Sequence, residues 1–529
     1  MENAAIADRL DAFAALLDLA EANPYQPRAY RRAAETVRTA PVPVAELVRT
    51  KRVRALRGIG PGIEARLVEL VQTGEIAELR ELERELVPGL VGLGRSLGLT
   101  TKRSLELARA LEVHTPAEFR AAVEAGRLQT VPGVGPKFEA RIVEALAREP
   151  APPRGLLLGQ ARALVGAIAD ALGGEHAGDT RRWRDSCEQL AVVCVEEASL
   201  MARFAALPQI VAVIDATRGL TIEGVPIELV VTPPAAFGTA LLRATGSPAY
   251  VQALGPLPEA ATEHEVYAAL GLPWLPPELR EARFTGAPPA LLEEADIRGD
   301  LHTHTTWSDG RFSVEAMGRA ARDRGYDYLA ICDHTPAVGP AGGLTGDDVR
   351  RQGEEIAIAN EQLAPFRILR GIECDILPDG RLDLPDDVLA ELDWVQASVH
   401  AGQRMPREEL TRRVLTAIEH PAVRCLSHPK GRIIGRRPEN ALDLDRVYEV
   451  AIAHGVALEV NGLTPRLDLS GDHVRDAIAA GVKLVCSTDA HSTATIVDNM
   501  TYAVHTARRG GATAADVLNT LPLAALLRR

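Results

Sequence analysis

The spacing of apolar positions changes character along the chain. Ile6, Leu10, Phe13, Leu16 and Leu17 share one face of a helix predicted over residues 6–20, and Asn23-Pro24 stops it. Helical periodicity, broken by short Gly and Pro stops, continues to about Glu149, where the Pro-rich stretch Glu149–Pro153 predicts a linker. From 155 to about 235 the pattern is mixed, with β-like runs at Leu190–Val195, Ile210–Ile214 and Ile227–Val231. A second Pro-rich region extends from Trp274 through Pro289. After Asp296, short apolar runs alternate with helical segments to the end, the pattern of a parallel sheet or barrel built from βα units.

Six runs in this last region end in metal-ligating residue types. Tyr328–Ile331 leads into Cys332-Asp333-His334, Ile368–Ile372 into Glu373, Trp394–Val399 into His400, and Val423–Ser427 into His428. Ala457–Val460 gives way to Asn461, and Leu484–Ser487 to Thr488-Asp489-Ala490-His491. Ahead of them stand His302, His304 and Asp309. The strands of a βα barrel run the same way, so residues at their carboxy ends converge on one face. His302 and His304, two apart on an extended segment, project to the same side. Six imidazoles and three carboxylates gathered there exceed the needs of one zinc ion, which takes about four ligands. Two or three ions is the natural count. His420, His454 and His473 have no such placement and read as ordinary structural residues.

Composition narrows the setting. The 529 residues are too many for one core and predict several domains. No apolar run has the length of a bilayer span, and the amino terminus lacks signal-peptide architecture. The six cysteines are scattered without CxxC spacing, as suits reduced thiols in a cytoplasmic protein. A net charge of −13 argues against electrostatic coating of nucleic acid, but residues 1–150 are nearly neutral, with 22 Lys and Arg against 21 Asp and Glu. Within them Arg49, Lys51, Arg52, Arg54 and Arg57 form a basic stripe.

That stripe runs into Leu56-Arg-Gly58-Ile-Gly60-Pro-Gly62, and Val131-Pro-Gly133-Val-Gly135-Pro-Lys137 repeats the pattern. A glycine hairpin lets backbone approach a phosphate closely, and the helix that follows offers free N–H groups. A tight helix-helix turn would use the same residues; two copies beside a basic stripe favour DNA binding. Leu97–Arg103 reads as a degraded third copy.

In the carboxy-terminal region HTHTTWSDG, ICDHT, GIECDILPDG, ASVH, SHPKGR, EVNG, RLDL and STDAHS resemble the PHP (polymerase and histidinol phosphatase) domain, in the version fused to bacterial family X DNA polymerases. The resemblance implies a distorted (β/α)7 barrel with His302, His304, Asp309, His334, Glu373, His400, His428, Asp489 and His491 as ligands for two or three divalent ions (Mn, Zn or Fe). Glu373, Asp489, His304 and Arg432 would carry catalysis, Glu373 bridging ions and Arg432 with Lys430 neutralising a substrate phosphate. Lys430 departs from the family, which usually has Thr there.

The amino-terminal half resembles the same polymerases: Asn23–Arg32 in an 8-kDa-like domain, then the hairpins, Gly224–Pro234, Thr245-Gly-Ser247 and Tyr267–Glu281. The polymerase centre departs from them. Two-metal nucleotidyl transfer needs two carboxylates on one strand and a third on its neighbour; Gln189 and Ala191 occupy the first two positions and Glu228 the third. Asp179 replaces the serine that faces the triphosphate, and Arg243-Ala244 an aromatic pair.

The expected architecture is therefore a multidomain α/β protein: an 8-kDa-like helical domain with the first hairpin (1–85), a helix-hairpin-helix DNA-binding domain (86–150), a degenerate polymerase palm and thumb (151–290) and a PHP phosphoesterase (291–529). The expected activity is metal-dependent 3′-5′ exonuclease or 3′-end trimming in DNA repair, by a cytoplasmic monomer acting on 3′ ends, gapped or single-stranded DNA, with no membrane partner. The rivals are an active gap-filling polymerase, a histidinol-phosphatase-like small-molecule phosphoesterase, and a non-catalytic DNA scaffold with structural metals.

Overall fold

The computed structural model describes residues 3–19, 25–38, 40, 43–56, 58–85, 101–113, 116–132, 134–135, 138–139, 142, 155–281, 287–339 and 342–528. Their contacts separate into two compact units. One holds Met1–Leu156, Ala161–Ala177 and Glu188–Ala244; the other holds Leu157–Gln160, Gly178–Cys187 and Thr245–Arg529.

In the first unit, helices Asn3–Leu19, Tyr25–Arg38, Val44–Arg49, Pro61–Thr73 and Ala77–Glu85 surround a core that includes Leu10, Phe13, Leu67 and Leu70. The Phe13 and Tyr30 rings meet edge to face at 4.8 Å. Helices Thr101–Leu111 and Pro116–Glu124 share a second small core with Phe119, Leu128 and Ile142. A five-stranded sheet follows: β1 (Glu175–Gly178), β2 (Leu190–Val195), β3 (Ile210–Val213), β4 (Arg218–Thr221) and β5 (Pro226–Thr232), in the order β1-β2-β5-β4-β3. Strands β2 and β5 are parallel, and Ala191 stands opposite Glu228. The β-like runs of the sequence are thus strands; β1 and β4 are the two of the sheet that periodicity does not mark.

The second unit is built on seven parallel strands in sequential order: β6 (Gly299–Thr303), β7 (Tyr328–Ile331), β8 (Arg367–Asp375), β9 (Trp394–Ser398), β10 (Val423–Leu426), β11 (Ala457–Asn461) and β12 (Leu484–Ser487). First and last strands meet at Thr303 and Ala490, where His304 N donates to the Ala490 carbonyl at 2.9 Å. At the opposite end the Asn519 side chain spans them, donating to the carbonyls of Gly299 (2.8 Å) and Cys486 (2.7 Å) and accepting from Cys486 N (3.1 Å). The ring is a nearly closed (β/α)7 barrel.

Period-two alternation grades its interior. Leu301, Leu369, Trp394, Cys425, Ala457 and Val485 form an apolar floor, plugged by Leu518 and Leu526. Two residues further along their strands come the buried polar groups Gln396, Ser427, Glu459 and Ser487. The next step reaches the strand ends. Outward-facing residues such as Leu329, Ile368, Val395 and Leu458 join the larger core under the helices. The unit also includes Gly178–Cys187 and residues from Thr245 onward, so compactness does not follow the linear division at 290.

Candidate metal centre

All nine strand-end and loop residues singled out in the sequence face one cleft of about 490 Å³ or lie directly against it. Glu373 is the hub. Its Oε1 lies 2.8 Å from His428 Nε2 and 3.3 Å from His400 Nε2; its Oε2 lies 3.0 Å from His334 Nδ1 and 3.3 Å from His302 Nε2. Asp489 Oδ1 is 3.2 Å from His304 Nε2, and Asp309 Oδ1 is 3.3 Å from His491 Nε2 and 3.6 Å from His334 Nε2. The His302 and His304 rings meet at 3.1 Å between their Nε2 atoms. Three sets have ligand atoms close enough to share a cation: His304, Asp309, His334 and His491; His302, His304 and Asp489; and His334, Glu373 and His400.

The electrostatics fit cations. Burial opposes ionisation of Glu373, but His400, His302 and His334 hold its carboxyl well below the usual range. Burial likewise opposes a charge on His334, yet Glu373 and Asp309 push its pKa up to about 10. His302 is raised in the same way against its burial by Glu459, Glu373 and Asp489. The field that draws protons to these rings draws a divalent ion equally. His304 is pushed down to about 4 by burial and, against its bond to Asp489, by the neighbouring imidazoles; it is thereby held in the neutral form that ligates metals. Nδ1 of His304 and of His428 is buried without a hydrogen-bond partner. Orphaned imidazole nitrogens at such depth are expensive unless something binds them. The donor set fits a cluster of imidazole- and carboxylate-bound divalent ions.

A further layer supports these groups; the sequence marks Asp333 and Asn461 in it but not Glu459 or Gln396. Glu459, wholly buried, sets its Oε1 2.6 Å from His302 Nδ1 and accepts from His428 N at 2.6 Å and Ser427 Oγ at 3.0 Å. Gln396 is fixed by Trp394 Nε1 at 3.1 Å and lies 2.7 Å from the same His302 nitrogen. Asp333 holds the loop after His304 through Thr305 N (2.8 Å) and Thr305 Oγ1 (2.6 Å). Asn461 donates to Asp489 Oδ2 at 3.1 Å.

The expected phosphate-binding cations are placed differently. Arg432 donates through Nε to the Arg466 carbonyl at 2.8 Å and through its terminal nitrogen to the Leu467 carbonyl and to Asp185, at 2.6 Å. Lys430 Nζ donates to the Leu442 carbonyl at 3.1 Å. Gly431, at φ +55°, turns the chain between His428 and Arg432 and aims this arginine away from the cleft. The cation in the cleft wall is Arg466, its Nε 3.9 Å from Asp489 Oδ2. Nothing in the sequence distinguished it from other basic residues.

Elsewhere, Gly60 caps helix Pro61–Thr73, Gly62 lies in its first turn, and Gly58 holds φ +88°. The space above Gly58, Gly60, Gly62 and Gly135 is open for 4 Å where a Cβ would project. Gly133 and Lys137 lie outside the described residues, as do residues 97–100 of the third glycine segment. In the polymerase region, Ala191 is buried in an apolar cluster with Val193 and Leu241, while Gln189 and Glu228 are exposed. Asp179, which replaces the serine, is buried and ion-paired with buried Arg182.

Comparison with known proteins completes the description. Residues 1–76 match the helix-hairpin-helix domain family, 96–148 the SAM-like helix-hairpin-helix tandem, and 252–281 the DNA polymerase beta thumb. Hairpins, thumb and a parallel barrel together define a polymerase-type DNA-processing protein that carries a PHP-like domain. The chain is 33% identical to the DNA polymerase/3′-5′ exonuclease PolX of Bacillus subtilis, over 97% of its own length and 96% of that protein. It belongs to the bacterial PolX family. It is also 31% identical to a "Probable phosphatase" of Acetivibrio thermocellus, over 36% of this chain and 78% of that one, and 30% identical to another from Caldanaerobacter subterraneus, over 36% and 75%.

Proposed function

We propose that this protein is a metal-dependent 3′-5′ DNA exonuclease of DNA repair whose hydrolytic centre is the barrel cleft and whose polymerase centre is inactive. The observation that carries the reading is the convergence of nine ligand-type residues on one cleft, with the buried Nδ1 of His304 and of His428 left without hydrogen-bond partners. His302, His304, Asp309, His334, Glu373, His400, His428, Asp489 and His491 would hold two or three divalent ions. Bound there, such ions would acidify a water for attack and neutralise the oxygens of a phosphoryl group.

The chain does the rest. Glu459 takes the Nδ1 side of His302 so that Nε2 faces the cleft. Glu373 gathers four imidazoles around one carboxylate. Arg466 offers positive charge at the cleft wall for a non-bridging phosphate oxygen. The glycine hairpins supply sequence-independent grip on the DNA backbone.

Loss of polymerase activity is supported by Ala191, an apolar side chain in an apolar cluster where a metal-binding carboxylate is required. It is supported also by the taking-up of basic groups in the second unit: Arg182 by Asp179 and Glu281, and Arg181 by Glu263 at 2.7 and 2.9 Å. The four-module division at residues 85, 150 and 290 and a cytoplasmic setting belong to the same reading; among the described residues no helix is long and apolar enough to cross a membrane.

The likeness to "Probable phosphatase" chains favours a second reading, hydrolysis of small phosphomonoesters. Purified protein incubated with manganese and a 5′-labelled primer, with a small phosphomonoester in parallel, decides between them. Stepwise shortening from the 3′ end supports the exonuclease; ester hydrolysis without shortening replaces it with the phosphatase.

A further inference from the structure

The polymerase-derived segments within the barrel unit touch one part of the cleft twice. Asp185 is half-buried between two arginines, 2.6 Å from Arg432 and 2.5 Å from Arg509. Arg432 passes that anchorage on through its bonds to the carbonyls of Arg466 and Leu467. These carbonyls belong to a tight turn, in which Arg466 N and Leu467 N both donate to the Leu463 carbonyl, at 2.7 and 3.0 Å. Leu463 and Arg466 line the cleft. The second touch is at Gly159, where a Cβ would come within 3.1 Å of Thr464 in the same turn. Leu158 N donates to the Asp185 carbonyl at 3.3 Å and ties the two together.

We propose that Asp185 is a positioning residue of the hydrolytic cleft, holding through Arg432 the Leu463–Leu467 turn that carries Arg466 into the cleft wall. The proposal rests on the phosphoester-hydrolase reading. It gives the polymerase region a task independent of nucleotidyl transfer: a segment upstream of the barrel completes the substrate side of the barrel's own site. An arginine displaced by an ångström from a phosphate still leaves the nine ligand-type residues untouched. The defect should therefore fall on substrate binding before turnover.

The test uses the full chain with manganese. Asp185→Asn should raise KM for bis(4-nitrophenyl) phosphate about tenfold or more, with kcat within a few-fold of wild type and metal content unchanged by mass spectrometry. Binding of inorganic phosphate, read by calorimetry without turnover, should weaken in parallel. Asp185→Asn combined with Arg432→Gln should be no worse than Arg432→Gln alone, because both cut one connection. Wild-type KM and phosphate affinity in Asp185→Asn overturn the proposal, as does a loss that tracks metal content. If Asp185→Asn does not fold, Gly159→Ala is read instead: its methyl presses on Thr464 and should raise KM, and an unchanged KM again overturns the proposal. A wild-type protein that binds phosphate, weakly in Asp185→Asn, but hydrolyses no phosphoester would sink the functional reading and leave the positioning role standing.

Discussion

Oε1 of Glu459 lies 2.6 Å from Nδ1 of His302, and neither side chain exposes any surface. The contact fixes which nitrogen of His302 faces the cleft. Replacing Glu459 with Gln keeps the shape and removes the charge, and outer partners of metal-bound histidines typically carry about 10–100-fold in metal affinity or activity. Glu459→Gln should therefore need more manganese for half-maximal activity, measured by metal titration. An unaltered titration would show that Gln396, 2.7 Å from the same nitrogen, suffices.

Chelator-treated protein should be inert on 3′-ended DNA and recover with manganese. His304→Ala removes a residue common to two of the candidate ligand sets and Asp489→Ala the carboxylate of one of them, and each should reduce hydrolysis by orders of magnitude. Because ligands that bind only the folded state stabilise it, manganese should raise Tm in the wild type and less in these variants. Wild-type rates in either variant would move the chemistry elsewhere.

At the hairpins, Gly60 and Gly135 have open space where a side chain would project, and neither has positive φ. Gly60→Leu with Gly135→Leu should leave folding intact while blocking close approach of a phosphate. DNA affinity should fall and its salt dependence flatten, with hydrolysis of a small ester unchanged. Equal DNA affinity in the double variant would reduce the hairpins to helix-helix turns.

No template-directed extension is expected from His304→Ala protein given a gapped primer-template, manganese and all four nucleotides. The His304→Ala background removes degradation that would mask synthesis. Each 1.36 kcal/mol lost from transition-state stabilisation is about tenfold in rate, and the position of Ala191 cannot hold an ion at all. Extension at ordinary enzymatic rates would restore the polymerase to first place.

Glu263 predicts a pH signature. Burial would raise its pKa, but hydrogen bonds and charge from Arg181 and Arg280 bring it down to about 2. A carboxyl depressed on folding contributes stability above its ordinary pKa and loses it as pH falls towards the folded value. The shift from 4.5 to about 2 corresponds to roughly 3 kcal/mol at neutral pH. Glu263→Gln should be destabilised by that order at pH 7 in urea melts, and the gap should narrow steadily from pH 4.5 towards 2. A gap independent of pH would assign the loss to packing alone.

Much of the barrel was legible because its strands end where ligand-type residues begin, and period two then orients most inward side chains, the register shift between Asp300 and Thr303 excepted. Glu459 obeyed the same rule, two residues before Asn461, yet passed unnoticed because a mid-strand acid has no strand end to mark it. Arg432 was misread for a different reason. It stands four residues after His428 in SHPKGR, but its guanidinium is taken up by the Arg466 and Leu467 carbonyls and by Asp185. The pairing of Asp179 with Arg182 is visible only once the chain has turned. The packing of residues 178–187 with the barrel is a tertiary fact with no local pattern behind it.

The Asn519 amide does for two strands what an eighth strand would otherwise do, matching backbone donors and acceptors on both sides. A chain cut short of it would present two unsatisfied strand borders to its neighbours. Such borders are templates for pairing between molecules. The closing segment around Asn519, at the end of the barrel away from the cleft, thus guards the protein against self-association, and its loss should be felt first as turbidity rather than as a fall in specific activity.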